Sequence, residues 1–150
     1  MKKINLGTTG EKVSALCMGT MYFGSVTEPS LSCTLLDRYY ESGGRFLDTA
    51  NIYGKKDGKW VGNYSEALLG QWMAERNNRD SIFLATKAGF PYSGGQHGLS
   101  KAVIVSECEG SLKRLGVETI DLYYAHIDDR ETPLEETLEA FSSLINAGKV

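Results

Sequence analysis

Four apolar runs of strand length alternate with four amphipathic stretches of helix length, and that alternation constrains the chain to parallel βα units. The first run is Leu16-Cys17-Met18, which stops at Gly19-Thr20. The second is Arg45-Phe46-Leu47-Asp48, the third runs from Ser81 to Lys87, and the fourth from Ile120 to His126. Of these the third is nearly continuous in apolar residues, as a strand covered on both faces should be. Between the runs, helical spacing is clear. A helix fits Pro29 to Ser42 with Leu31, Leu35, Leu36, Tyr39 and Tyr40 on one stripe, and Gly43-Gly44 ends it. The next starts near Asn63, with Glu66 placed for a capping box and Leu68, Leu69, Trp72 and Met73 as its inward face. Ser100 caps a third helix carrying Ile104, Cys108, Leu112 and Leu115, which ends at Gly116. Thr132-Pro133-Leu134-Glu135 sets the start of a fourth, which should bury Leu134, Leu138, Phe141, Leu144 and Ile145 and close at Gly148.

Ahead of these units, Ile4 to Leu6 and Val13 to Leu16 flank a glycine turn and read as a hairpin over about residues 3–15. The four βα units then occupy about 16–148, and Lys149-Val150 reads as the first step of a fifth strand. A polar, glycine-rich loop is expected from Ala50 to about Tyr64. Such units cross over right-handed and either line up as an open sheet or curl into a barrel, of which four units are half. The chain of 150 residues is expected to be one domain.

A net charge of -3 leaves no basic footprint for nucleic acid, and no apolar run approaches the length needed to span a bilayer. The lysines at the start precede no apolar segment, so no secretory signal is expected. Cys17, Cys33 and Cys108 form no metal or redox spacing, and we read them as buried apolar fillers in a reducing cytoplasm. His126-Ile127-Asp128 is a weak metal signature, because only two histidines are present and His97 lies in a glycine-rich loop; no metal is expected.

The chemically capable residues fall at equivalent places. Asp48 ends the second strand, Lys87 the third and His126 the fourth, and Tyr53 lies five residues past Asp48. In parallel βα proteins the carboxyl ends of the strands form the active-site rim. Singly, each has a plain structural reading: Asp48 as a turn former, Lys87 as a solvated strand end, Tyr53 as packing and His126 as a loop histidine. Converging on one mouth, they make a general acid. A phenol ordinarily titrates near ~10, and a lysine cation beside it favours the phenolate. An aspartate would hold the lysine, and a histidine would donate to the oxygen being protonated. No side chain here supplies a hydride, so a nicotinamide must.

The segments Leu47-Asp48-Thr49-Ala50-Asn51-Ile52-Tyr53-Gly54, Ser65-Glu66-Ala67-Leu68-Leu69-Gly70, Ala85-Thr86-Lys87, Ser111 to Gly116 and Ile120 to His126 closely resemble the aldo/keto reductases, in order and over nearly the whole chain. The resemblance implies a fold of class α/β, the N-terminal half of a (βα)8 TIM barrel with a hairpin plugging its bottom. It implies NADPH-dependent reduction of a small-molecule aldehyde or ketone, with Asp48, Tyr53, Lys87 and His126 as the catalytic tetrad. It also places Gly19, Thr20, Met21 and Asp48 at the nicotinamide. Tyr22, Phe23 and Phe90 follow strand ends and are candidates for the substrate pocket.

Two departures stand out. The loop from Lys55 to Asn63 is longer than in the family's shortest members, which would reshape the mouth. The family's later units, with the residues for the nicotinamide amide and the phosphates, have no counterpart here, nor does a Rossmann or P-loop glycine pattern replace them. A half-barrel would leave two strand edges unpaired, which favours self-association. The alternative to a reductase is therefore an inactive remnant or a partner-binding subunit of the same fold.

Overall fold

The structure, a computed structural model, describes every residue from Met1 to Val150. The chain begins with β1 (Lys3–Asn5) and β2 (Lys12–Ser14), paired antiparallel with Ile4 opposite Val13. Next come β3 (Met18–Gly19), α1 (Pro29–Glu41) and β4 (Phe46–Asp48). A small hairpin, β5 (Lys55–Lys56) and β6 (Lys59–Trp60), leads into α2 (Tyr64–Arg76). After a short 3-10 turn the order is β7 (Phe83–Ala88), α3 (Lys101–Leu115), β8 (Leu122–Ala125) and α4 (Leu134–Asn146).

Strands β3, β4, β7 and β8 form one parallel sheet in sequence order, with Leu47 beside Leu84 and Lys87 beside Tyr124. With its four helices this is a partial (βα) barrel, as expected. The ladder continues past the strand ends: the amides of Thr20, Asn51 and His126 donate to the carbonyls of Asp48, Lys87 and Ala88. That continuation holds the first residues of each loop in the frame of the sheet. At the far end, the amide of Ile120 donates to the carbonyl of Lys149, so the chain after α4 runs back beside the start of β8.

The core lies between sheet and helices. Leu47, Leu84, Leu36, Leu69, Ile104, Leu115 and Ile120 are fully buried there. Helices α2 and α3 approach closely at Gly70, where a Cβ would sit 2.5 Å from the carbonyl oxygen of Arg114. Each expected strand forms, but with shifted ends: Leu16 and Cys17 precede β3, Ser81 is drawn into the 3-10 turn, and β8 begins after Ile120 and Asp121 and stops one residue before His126.

The helix faces differ in part. In α1, Leu36 is buried and the two tyrosines pack on the core, but Leu31 and Leu35 are exposed because small Ser32 occupies the contact. In α4 the buried line is Thr137, Ala140 and Leu144, while Leu134, Leu138 and Ile145 are exposed. There the apolar stripe is wider than the contact, and the helix turns its smaller residues, Thr137 and Ala140, inward beside Leu144. Of the cysteines, only Cys108 is the buried filler expected, its thiol pushed up to about 12 by burial; Cys33 is half-buried and Cys17 exposed.

The capping box expected at Asn63 does not form, and Thr132 does not cap α4. Asn63 sits in the left-handed region with no side-chain cap, and Thr132 gives its hydroxyl to Asp129 rather than to the start of α4. Glu66 turns inward instead. Its fully buried carboxylate accepts from Thr86 Oγ1 at 2.6 Å and from Arg114 Nε at 2.6 Å, tying β7, α2 and α3 together. Removing the cation would strand a buried charge. Arg114→Met is therefore expected to cost about 3 kcal/mol in urea denaturation, and much of that should return when Glu66→Gln is added. A cost under about 1 kcal/mol would show the pair to be dispensable.

Candidate active site

Strand alternation decides what faces the open end. Leu47 and Leu84 point to the helices, so Asp48, two residues from Phe46, and Lys87 point the other way. Lys87 Nζ donates to Asp48 Oδ2 at 2.6 Å, to the Thr49 carbonyl at 2.7 Å and to Tyr53 Oη at 3.1 Å. Those bonds use all the donors an ammonium has. The Lys87 side chain is only 14% exposed, so water weakens the arrangement little. Tyr53 Oη accepts from lysine, and its own proton remains to be given elsewhere.

Tyr53 is set by its loop. Its amide donates to the Ala50 carbonyl and its carbonyl accepts from Ser65, so the ring is fixed between the end of β4 and the start of α2. A buried hydroxyl group reinforces this corner: Ser65 Oγ lies 2.9 Å from Thr49 Oγ1, 2.8 Å from Thr20 Oγ1 and 2.9 Å from the Thr20 carbonyl. Thr20 Oγ1 donates in turn to the Asp48 carbonyl at 2.9 Å. The Thr20 side chain is thus a brace inside the rim. Gly19 is exposed beside Asp48, with open space where a Cβ would stand.

His126 closes the group. Its ring meets Tyr53 edge-on, with centroids 5.9 Å apart, and Phe90 at 5.5 Å. Burial, and next the Lys87 cation, hold its pKa below the ordinary imidazole value, against a smaller opposite effect of Asp48. The ring is therefore neutral at neutral pH. Its Nδ1 is buried without a partner. A proton there would be an unsatisfied buried donor, so the neutral ring carries its N–H on Nε2.

A cavity of about 170 Å³ opens over these groups, lined by Met21, Ile52, Tyr53, Trp60, Phe90 and His126. Apart from the phenol and the imidazole its wall is apolar, which suits a neutral organic ligand offering one polar atom.

A profile of the aldo/keto reductase family matches residues 15–150. The chain belongs to the aldo/keto reductase family. Among similar proteins, the uncharacterized oxidoreductase YrpG of Bacillus subtilis is 41% identical over the whole of this chain and 47% of its own length. Norsolorinic acid reductase stcV of Emericella nidulans is 41% identical over 94% of this chain and 38% of its own. Norsolorinic acid reductase A of Aspergillus parasiticus is 36% identical over 95% of this chain and 39% of its own. The chain thus spans less than half the length of these curated relatives.

In this aldo/keto reductase chain all four tetrad candidates meet at one mouth. Met21 and Phe90 line the cavity, whereas Tyr22 stands one layer back, parallel to Trp60 with ring centroids 6.3 Å apart. Phe23, read as a pocket candidate, turns into the core and is 7% exposed, because the turn after β3 directs it under α1 and α2. Sequence reading missed Trp60 and Ile52. The loop expected from Ala50 to Tyr64 contains the β5–β6 hairpin, which carries Trp60 to the mouth. Its signal was Asp57-Gly58: both have positive φ, 50° and 77°, as a type I′ turn needs. No helix is long and apolar enough to cross a membrane.

Proposed function

We propose that this chain forms the catalytic face of an NADPH-dependent reductase that converts an aldehyde or ketone to an alcohol, with Tyr53 as the proton donor. The family and the relatives named as reductases support an oxidoreductase; the finer reading rests on one observation, the Lys87 ammonium bonded at once to Asp48 and to Tyr53 Oη.

The residues present fit the nicotinamide end of such a cofactor. Exposed Gly19 leaves open ground beside Asp48, Met21 offers an apolar flank, and the unpartnered Nδ1 of His126 leaves Nε2–H as a donor at a largely apolar mouth. Gly19, Met21 and Asp48 are the positions that would hold it, while Thr20, expected to join them, is fully buried and braces Asp48 from within. A nicotinamide bound there supplies the hydride. The chain does the rest. Tyr53 gives its proton to the carbonyl oxygen as negative charge gathers on it. Lys87 stabilises the phenolate that remains, and Asp48 keeps Lys87 in place. Nε2–H of His126 donates to the same oxygen and orients it. Trp60, Phe90 and Ile52 keep water from the reacting carbon.

The test is an assay on a full-length protein carrying these residues, with a panel of aldehydes and ketones. Nicotinamide absorbance should fall when NADPH and a carbonyl substrate are both present, and faster than with NADH. Absence of consumption across the panel would refute the reading, and a preference for NADH would correct the cofactor.

A further inference from the structure

Two separate loops that wall the mouth converge on one buried carboxylate that takes no part in the chemistry above. Glu107, on α3, is 7% exposed. Its Oε2 accepts from Asn51 Nδ2 at 2.8 Å and from the Tyr92 hydroxyl at 3.1 Å, and its Oε1 accepts from the Gln96 amide at 3.2 Å. Asn51 belongs to the loop that presents Tyr53. It is fully buried, and its backbone joins the Lys87 carbonyl to the Asn63 amide. Tyr92 and Gln96 belong to the loop after β7 that carries Phe90.

That loop is built to close on this point. Gly98 donates to the Gly89 carbonyl, pinching its base, and Ser93 donates to the Trp60 carbonyl, linking it to the β5–β6 hairpin. The Tyr92 ring is packed between Gly62 and Gly95, where a Cβ would lie 2.7 Å and 2.0 Å from ring carbons. Burial, and next the Glu107 charge, push the Tyr92 phenol up to about 12, so it stays a donor to the carboxylate. A charged acceptor makes each of these hydrogen bonds stronger than a neutral one would.

We propose that Glu107 is a positioning residue that fixes the substrate-side wall of the cavity, holding Phe90 and, through Ser93, Trp60 at the distance that the carbonyl substrate fills. This rests on the reductase reading above for its substrate. Glu107 touches neither the tetrad nor the cavity, so its effect passes through the loops alone.

The test uses Glu107→Gln and Tyr92→Phe in the full-length protein. Glu107→Gln keeps the shape but removes the charge and sets an amide donor against Asn51 or Tyr92. KM for the carbonyl substrate should rise about tenfold while kcat changes less than about threefold, the cost of weakening charged hydrogen bonds at one wall. Tyr92→Phe, which keeps the packed ring, should raise KM by a smaller factor. Amide exchange over 89–98 should quicken about tenfold in Glu107→Gln, while exchange in β7 stays unchanged. A fall in kcat with KM unmoved, or an unchanged exchange rate in 89–98, would overturn the proposal. Should the protein reduce no carbonyl at all, the exchange measurement still decides whether Glu107 anchors the wall, and only the substrate assignment falls with the reductase reading. If Glu107→Gln does not fold, Tyr92→Phe carries both measurements, and no change in either would count against the anchor.

Discussion

Tyr53→Phe is expected to lower turnover by about 10²–10⁴-fold while leaving nicotinamide affinity within about threefold. The ring would stay in place, because its setting comes from backbone bonds to Ala50 and Ser65 and from the edge contact with His126, none of which involves the hydroxyl. What is lost is the oxygen that Lys87 addresses at 3.1 Å and the proton that oxygen carries. The expected loss corresponds to about 3–5 kcal/mol of barrier, too large for a change in packing at a half-open mouth. Residual turnover should come from Nε2–H of His126 polarising the carbonyl alone. Single-turnover reduction measures this directly, and turnover within threefold of the unmodified protein would remove Tyr53 from the chemistry.

Lys87→Met should cost about 10³-fold in turnover, through two effects that act together. The phenolate left after proton transfer would lose its only cation, and Asp48, whose side chain is 26% exposed, would lose the partner at 2.6 Å that holds it at the strand end. Lys87→Arg is not expected to rescue the loss. A guanidinium is planar and forked, and the three acceptors around Nζ are arranged for a tetrahedral ammonium. Full activity in Lys87→Met, or rescue by arginine, would mean that Tyr53 works without a held cation.

Much of this site was legible in the sequence because each tetrad residue adjoins an apolar run. Strands buried around Leu47 and Leu84 end within a residue of the apolar run, and alternation turns Asp48 and Lys87 away from those leucines. The register then brings Asp48 and Lys87 together without any further instruction from the loops. What sequence did not reveal depends on distant partners. The segment Lys55 to Trp60 shows no apolar alternation, so its hairpin was hidden but for Asp57-Gly58. Glu66 stands where a capping glutamate would, yet Thr86 and Arg114, 20 and 48 positions away, draw it into the core. Glu107 looks like a helix-surface acid, and its partner Asn51 lies 56 positions earlier. In α4 the apolar stripe identified the helix correctly but not its roll, because the contact is set by the small side chains of Thr137 and Ala140.

The location of the carbonyl oxygen is the quantity on which the proposed chemistry turns. A crystal structure of the full-length protein with oxidised nicotinamide and a non-reducible carbonyl ligand measures it. The oxygen should lie about 2.6–3.2 Å from Tyr53 Oη, within reach of His126 Nε2, with Lys87 still bonded to both Asp48 and the phenol. An oxygen bound across the cavity, out of reach of Tyr53 with Lys87 turned away, would contradict the assignment.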